Sequence, residues 1–571
     1  MTIFSRHAVL AMIMLSNRAA CRAFGAKASF GRFRGGAGAA VTTSLFSTVS
    51  EPETKASQSL QETSEAYSKL IQELKTITQL ERASAVLGYD QLVFMPQHAD
   101  TSVERGSQMA ALAGVIHEKS TNPKLLEWMD QAMIDLNNIV GEDGDAKGLE
   151  DDARILELER KSFLEAQRVP AELASKAAEL SSSAYSAWVN AREAKDFGMF
   201  APVLQDCFET SMAINKAQRG ESDHSLYTQM LDQFETGMDP KRINDMFDEI
   251  QEALVPLIAS VLASKTPPSD KALHGTFDLD KQKELNQKIV KQIGFKEETG
   301  RIDVSVHPFT TSFSPSDVRI TSRFREDEWY QGLAGTVHEG GHAIYEQNLK
   351  SSALSIDTAL SMGTHESQSL FWERHIGLSK PFWKWATPML QEAFDDYDYS
   401  ADQVYGAVNS VSQSLIRVEA DELTYPLHVI LRYNIERDVV EGKLDVKDIP
   451  ERWNKGMKEL LDIDVPSDDK GCMQDVHWSS LAIGYFPTYL LGAVAAAQLD
   501  HYCRQDIPDM EAKIAKGEFS EIQQWLTQKI HRHGRRYKSL DALLEAQLGE
   551  KLNPKYFVEY LTTKYSELYQ I

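Results

Sequence analysis

Cysteine is scarce in this chain, and two other features that would define a class of protein are also missing. The 571 residues include four widely spaced cysteines, which form neither a disulfide framework nor a Cys-x-x-Cys metal pair and fit an intracellular enzyme. No apolar run reaches the length that crosses a membrane. A net positive charge is absent as well, because 84 Asp and Glu residues outnumber 60 Lys and Arg residues and the formal net charge is −24. We therefore expect neither nucleic acid nor a membrane as a partner.

Acidic residues are absent from the first 50 positions. This segment carries six Lys or Arg residues, and it is filled with Ser, Ala and Gly after a short apolar patch at 8–15. Such a composition is typical of an organelle transit peptide. We expect residues 1–50 to be a leader for a mitochondrion or a plastid, with a disordered basic tail on a cytoplasmic protein as the alternative. Residues 51–571 then form the working domain, with ordered structure starting between 51 and 67.

Apolar residues recur every three or four positions through most of the chain after residue 65, which predicts helices. The clearest helical regions are 151–167, 173–194, 240–265, 278–294, 368–398, 401–441 and 510–570. Strand-like alternation is rare, and the best candidates are 301–309 and 317–323, joined by a Ser-Pro turn at 314–315. The pattern predicts one mainly helical domain that contains a small β element.

The sequence His-Glu-Gly-Gly-His at 338–342 is the strongest local signal. On a helix, His338 and His342 lie on one face, so both imidazoles can reach one metal ion, and Glu339 is placed to act as the general base on water. Gly340 and Gly341 are poor helix formers, each about 1 kcal/mol less favourable than Ala. They predict that something approaches the helix backbone closely, such as a substrate or a strand, unless the helix ends there and the motif is accidental.

A catalytic metal site of this type needs a third protein ligand. The extended metzincin motif is excluded, because Tyr345 and Asn348 stand where it requires Gly and His. A carboxylate on a following helix is the other common solution, and Glu366 and Glu373 are the candidates. We favour Glu366, because the interval after His342 allows a loop and a return of the chain. Glu373 is the alternative ligand, or else a surface carboxylate or one that supports the site.

Further motifs accompany the metal motif in a fixed order. They are His-Pro-Phe at 307–309, Asp-Val-Arg-Ile-Thr at 317–321, His-Glu-Ser-Gln at 365–368, Ile-Arg-Val-Glu-Ala-Asp at 416–421, Gly-Cys-Met-Gln-Asp-Val-His-Trp at 471–478 and Gly-Tyr-Phe-Pro-Thr-Tyr at 484–489. Together they resemble the thermostable carboxypeptidase Taq family of metallocarboxypeptidases. The resemblance covers roughly residues 60–571, and it leaves the leader unexplained.

The resemblance implies an all-α, saddle-like fold with a long substrate groove and a small β-sheet near the metal helix. It also implies a homodimer that releases single residues from peptide C-termini with broad specificity, and it makes Glu366 the third ligand. Zn²⁺ is the expected metal, and Co²⁺ or Mn²⁺ would also suit imidazole and carboxylate ligands. The alternatives are a helical zinc oligopeptidase that cuts internally and a non-catalytic helical peptide-binding protein.

The family motifs also supply candidates that would contact the substrate. A developing oxyanion needs hydrogen-bond donors, and His477, Tyr485 and Tyr489 are the candidates, although both tyrosines could be core aromatics. His307 is a candidate for substrate contact or a structural histidine. Asp475 is expected to orient a histidine, or else to serve in packing and capping.

A carboxypeptidase must also recognise a free terminal carboxylate, which suits the planar fork of an arginine. Arg417 is the first candidate, with an ion pair to Glu419 or Asp421 as the structural alternative. Arg319 is the second candidate, with an ion pair to a neighbour such as Asp317 as the alternative.

Overall fold

The computed structural model describes residues 59–96, 98–140, 148–221 and 223–571. The predicted leader and residues 51–58 lie outside the described residues. The α-helices of the described part are α1 (Leu60–Thr63), α2 (Glu65–Val93), α3 (Ala99–Ser120), α4 (Pro123–Val140), α5 (Glu150–Arg168), α6 (Ala171–Ala194), α7 (Phe197–Arg219), α8 (Leu226–Asp232), α9 (Pro240–Leu262), α10 (Leu279–Ile293), α11 (Tyr330–Gln347), α12 (Met362–Leu370), α13 (Lys380–Ala393), α14 (Ala401–Val408), α15 (Tyr425–Val440), α16 (Ile449–Leu461), α17 (Pro487–Asp506), α18 (Met510–Ile514), α19 (Ser520–Lys529), α20 (Leu540–Leu548) and α21 (Lys555–Tyr569). The predicted all-α class is confirmed.

A three-stranded sheet packs beside α11, as expected for the small β element. Its strands are β1 (Gly300–Val304), β2 (Phe309–Ser314) and β3 (Asp317–Ser322), in the order β1-β3-β2. The turn at 314–315 is confirmed, because β2 and β3 pair antiparallel across it. The single strand predicted over 301–309 is wrong. β1 ends at Val304, and β2 begins at Phe309 after Pro308, which has no amide hydrogen to donate to a sheet. β1 pairs with β3 in the parallel direction.

Three of the predicted helical regions are interrupted, and region 510–570 divides into α18, α19, α20 and α21. Region 368–398 divides into the end of α12, a π-helical turn (Phe371–Gly377) and α13. Region 401–441 divides into α14 and α15, with a loop at 409–424 between them. In that loop Asp421 Oδ1 accepts hydrogen bonds from the amides of Leu423 and Thr424, both at 3.0 Å. A side chain that takes up backbone amides in this way competes with helix formation.

The main hydrophobic core surrounds α17, which is buried along most of its length and lies against α12. A second core joins α2, α4 and α5 to the loop that carries Leu354 and Ile356. The metal motif lies on α11, which is covered by the sheet, by α10 and by α12. No helix among the described residues is both long enough and apolar enough to span a bilayer.

Candidate active site

The metal motif lies in the interior of α11, so the alternative of a helix end is excluded. The helix begins where the Glu328 carboxylate accepts the amides of Tyr330 and Gln331, a favourable place for negative charge. Glu366 is the acidic residue of α12, and its carboxylate faces α11. Its Oε2 atom lies 4.0 Å from His338 Nε2 and 3.6 Å from His342 Nε2.

His338, His342 and Glu366 therefore present three donor atoms within 4.8 Å of one another. The other ring nitrogens are already engaged, because His338 Nδ1 lies 2.7 Å from Glu373 Oε2 and His342 Nδ1 lies 3.0 Å from the carbonyl oxygen of His365. These bonds leave both Nε2 atoms facing the Glu366 carboxylate. Two imidazoles, each oriented by a hydrogen bond at its other ring nitrogen, and one carboxylate form a donor set that fits a catalytic divalent metal.

Glu373 and His365 support this group rather than join it. Glu373 bonds the far side of His338, and the His365 ring stacks on His342 with ring centroids 4.3 Å apart. Burial disfavours a charge on His338, but the hydrogen bond to Glu373 and the Glu366 carboxylate outweigh it and raise the His338 pKa to about 10. The carboxylates of Glu366 and Glu373 thus place negative charge around His338, which a cation at the site would balance.

Glu339 points from α11 towards the sheet. Its Oε2 atom accepts a 2.6 Å hydrogen bond from Thr310 Oγ1 on β2, and the same hydroxyl lies 3.0 Å from the Glu339 carbonyl oxygen. Burial raises the pKa of the Glu339 carboxyl, which makes it a better proton acceptor. Thr310 was not among the predicted residues, although it directly follows the 307–309 motif.

The two glycines of the motif allow a close approach to the backbone, as predicted, and the elements that approach are the helices α10 and α12 rather than a strand. A methyl group on Gly340 would collide with Val290 of α10. A methyl group on Gly341 would lie 2.6 Å from Ser369 Cα and 2.7 Å from the Gln368 carbonyl oxygen, both on α12. On the other side of α12, a methyl group on Gly492 of α17 would lie 2.7 Å from the Cβ of Glu366. Glycine therefore allows close packing on both sides of the helix that carries Glu366.

Arg417 is buried at the site, and its partners differ from the predicted ones. Its Nε atom donates to Asp475 Oδ1 at 2.9 Å and its Nη1 atom donates to the Tyr425 hydroxyl at 2.9 Å. The predicted ion pair of Arg417 with Glu419 or Asp421 is wrong. Arg417 pairs with Asp475, and Asp421 accepts backbone amides of the loop before α15. Asp475 was expected to orient a histidine, but its Oδ2 atom accepts a 2.6 Å hydrogen bond from Arg432 Nε.

His477, Tyr485 and Tyr489 form one cluster beside Arg417. The Tyr489 hydroxyl lies 3.2 Å from His477 Nε2, its ring centroid lies 5.2 Å from that of Tyr485, and the Arg417 guanidinium lies 5.0 Å from the centroid of the Tyr489 ring. Burial and the Glu366 carboxylate raise the pKa of Tyr485, so the tyrosine keeps its proton near the metal ligands. Burial and Arg417 lower the pKa of His477 to about 3, so its ring stays neutral.

Arg319 on β3 and His307 beside the sheet contact none of these groups in the described part of the chain. The Arg319 guanidinium donates two 2.9 Å hydrogen bonds to the Asp317 carboxylate. This ion pair is the structural alternative that the sequence offered for Arg319. It also lies over the rings of Tyr89 and Phe313. His307 is exposed in the connection between β1 and β2. Their assignment to substrate binding stays a prediction.

A family model described as carboxypeptidase Taq (M32) metallopeptidase matches residues 69–565. Carboxypeptidase 1 of Bacillus subtilis is 37% identical over 500 residues, which cover 87% of this chain and 97% of that protein. Thermostable carboxypeptidase 1 of Thermus thermophilus is 34% identical over 515 residues, which cover 88% of this chain and 99% of that protein.

Solved structures agree with these matches. The M32 carboxypeptidase from Deinococcus radiodurans superimposes with a TM-score of 0.83 at 33% identity, covering 89% of this chain and 100% of that chain. Metallocarboxypeptidase 1 of Trypanosoma cruzi gives a TM-score of 0.81 at 32% identity, covering 89% of this chain and 99% of that chain.

Proposed function

Because the chain belongs to the carboxypeptidase Taq (M32) family of metallopeptidases, and is thus a metallocarboxypeptidase, we propose that it releases single amino acids from peptide C-termini with broad specificity. The observation that carries the finer proposal is the charge balance around Arg417. Two buried guanidinium groups, those of Arg417 and Arg432, share the one carboxylate of Asp475. Among the described residues no other carboxylate pairs with either guanidinium, so the cluster keeps one positive charge, which the terminal carboxylate of a peptide would neutralise.

Each residue has a defined part in the proposed reaction. His338, His342 and Glu366 would hold a divalent metal, which would supply the Lewis acidity that polarises a carbonyl group and lowers the pKa of water. Glu339 takes a proton from the attacking water and later delivers it to the nitrogen of the departing amino acid. Tyr485, which keeps its proton, donates a hydrogen bond to the oxygen that gains negative charge, and Tyr489 and His477 hold its ring in place.

Several finer points are proposals that rest on the family and on composition. Zn²⁺ is the proposed native metal, because two histidines and one glutamate are a common catalytic zinc set, and Co²⁺ or Mn²⁺ would also bind. A homodimer is proposed for the assembly. For the location, we propose a mitochondrion or a plastid, on the basic and acid-free composition of residues 1–50.

The anchor role of Arg417 is tested by comparing peptides that differ only at the C-terminus. Arg417→Ala should reduce kcat/KM about 10- to 100-fold for a peptide with a free carboxylate, since a hydrogen bond to a charged group contributes about 1.5–3 kcal/mol. The residual hydrolysis of the C-terminally amidated peptide should change far less. Arg319→Ala is the parallel variant for the second candidate, and we expect it to cause no selective loss on the free-carboxylate peptide, because Asp317 already holds that arginine. Equal losses on both peptides would refute the anchor role.

A further inference from the structure

Two glutamates, Glu235 and Glu436, are completely buried near the site, and neither contacts the substrate-facing groups discussed above. Among the described residues, neither carboxylate forms an ion pair with Lys, Arg or His. Burial raises the pKa of Glu235 to about 7 and that of Glu436 to about 8. Burying a carboxyl group without a cation is unfavourable, so each position calls for a compensating contribution from its hydrogen bonds.

Glu235 holds the start of the helix that carries the third ligand. Its Oε2 atom accepts a 2.8 Å hydrogen bond from the amide of Gly363, in the first turn of α12, and the adjacent Phe234 carbonyl accepts the amide of Met362 at 2.9 Å. A methyl group on Gly363 would collide with the Glu235 carboxylate, so the contact is tight. Glu366 lies one turn further along α12. A carboxyl group at this helix start therefore determines where the Glu366 side chain lies.

Glu436 holds the segment that carries the proposed donors. Its Oε1 atom accepts from Trp478 Nε1 at 2.7 Å, and its Oε2 atom accepts from the Gly484 amide at 3.0 Å and from the Tyr227 hydroxyl at 3.2 Å. Trp478 follows His477, and Gly484 precedes Tyr485. One carboxylate therefore binds both ends of the loop that lies between His477 and Tyr485, and Tyr227 links that carboxylate to α8.

The two contacts meet on a single segment, residues 227–235. Gly484 adopts a φ of +93°, and a methyl group there would lie 3.0 Å from the carbonyl of Met230 on α8. Two residues beyond α8, the ring of Phe234 packs edge-on against Tyr485 with centroids 5.1 Å apart. The segment thus contacts both the helix of Glu366 and the loop of the donors.

We infer that Glu235 and Glu436 are positioning residues for the two halves of the site: Glu235 places the ligand Glu366 through α12, and Glu436 places His477 and Tyr485 through the 478–484 loop. The inference rests on the proposed ligand set and reaction. It predicts different effects of the two substitutions. Loss of Glu235 should weaken metal binding, whereas loss of Glu436 should lower turnover with the metal still bound.

The test uses the full-length enzyme reconstituted with Co²⁺, whose visible absorption reports the ligand geometry. Glu235→Ala should weaken Co²⁺ binding at least 10-fold and alter the visible spectrum, since residues that orient metal ligands contribute 10- to 100-fold to affinity. Glu235→Gln should restore both, because its amide oxygen can accept the Gly363 amide hydrogen. Glu436→Ala should keep the Co²⁺ affinity and spectrum but lower kcat at least 10-fold, with KM nearly unchanged.

Each variant serves as the control for the other. Wild-type Co²⁺ binding in Glu235→Ala would overturn the inference, as would an equal loss of metal in Glu436→Ala. If Glu235→Ala does not fold, Gly363→Ala provides the second test, because its methyl group disturbs the same contact; it should weaken Co²⁺ binding, and unchanged binding would overturn the inference. A wild-type enzyme that binds no Co²⁺, or that cleaves no peptide, would contradict the proposed function instead.

Discussion

Replacing Gly341 by Ala tests whether α11 and α12 must be in close contact for the metal site to form. The new methyl group would lie 2.6 Å from Ser369 Cα and 2.7 Å from the Gln368 carbonyl oxygen. Both atoms belong to the backbone of α12, so no side chain can rotate away. The contact has to lengthen by about 1 Å to reach an ordinary carbon–carbon separation.

Two opposing free-energy terms set the expected magnitude. Overpacking of a close-packed interior is unfavourable by about 1–3 kcal/mol, whereas replacing glycine in a helix interior by alanine is favourable by about 1 kcal/mol. The net loss of stability is therefore about 0–2 kcal/mol. The effect on the metal should be larger, because a shift of about 1 Å moves Glu366 relative to two imidazoles, and misplacement on that scale can reduce activity about 100-fold.

Gly335→Ala is the matched control on the same helix. Its methyl group would lie 3.5 Å from Pro308, an ordinary contact, so it should stabilise the protein by up to about 1 kcal/mol and leave the metal in place. The free energy of unfolding is measured by urea titration, and bound metal is measured on the dialysed proteins. Equal stability and equal metal content in the two variants would refute the packing argument.

Two further predictions concern the ligands and the pH dependence of stability. Glu366→Ala should abolish metal binding at concentrations where Glu373→Gln, which alters only the hydrogen bond to His338, weakens it about 10- to 100-fold; the reverse order in metal content would make Glu373 the ligand. Burial and the nearby Arg432 lower the pKa of His428 to about 3. The unfolded chain therefore takes up a proton at this position below its ordinary pKa of about 6.5 while the folded protein does not, so stability should fall as the pH falls from about 6.5 towards 3. Urea midpoints across that range should fall less steeply in His428→Gln, and identical slopes would contradict the assignment.

The part of the site that lies on one helix was accessible from sequence because spacing alone determines which residues share a helix face. His338 and His342 needed only a continuous helix to converge, and α11 supplies it. For the third ligand, the sequence indicates two candidates, Glu366 and Glu373. The packing of α12 against α11 distinguishes them, because Glu366 faces the Nε2 atoms of both histidines and Glu373 faces Nδ1 of His338.

Contacts between distant segments were not accessible in this way. Nothing near Arg417 in sequence indicates that Asp475 and Tyr425 hold its side chain, and the local acids Glu419 and Asp421 were the wrong partners. The loop at 409–424 was interpreted as helix because apolar spacing does not register how the Asp421 side chain competes for backbone amides. The glycines of the motif indicated a close approach correctly but could not identify the approaching element.

The central claim is that this chain is a metal-dependent enzyme that acts at peptide C-termini, and mass spectrometry of a peptide digest tests it most directly. The enzyme should give a ladder of products that lose one residue at a time from the C-terminus, and a chelator should abolish the ladder while Zn²⁺ restores it. Glu339→Gln should retain its metal and give almost no ladder, since it lacks the carboxylate that takes the proton. Internal fragments would contradict action at the C-terminus, and a ladder that persists in the chelator would contradict the dependence on a metal.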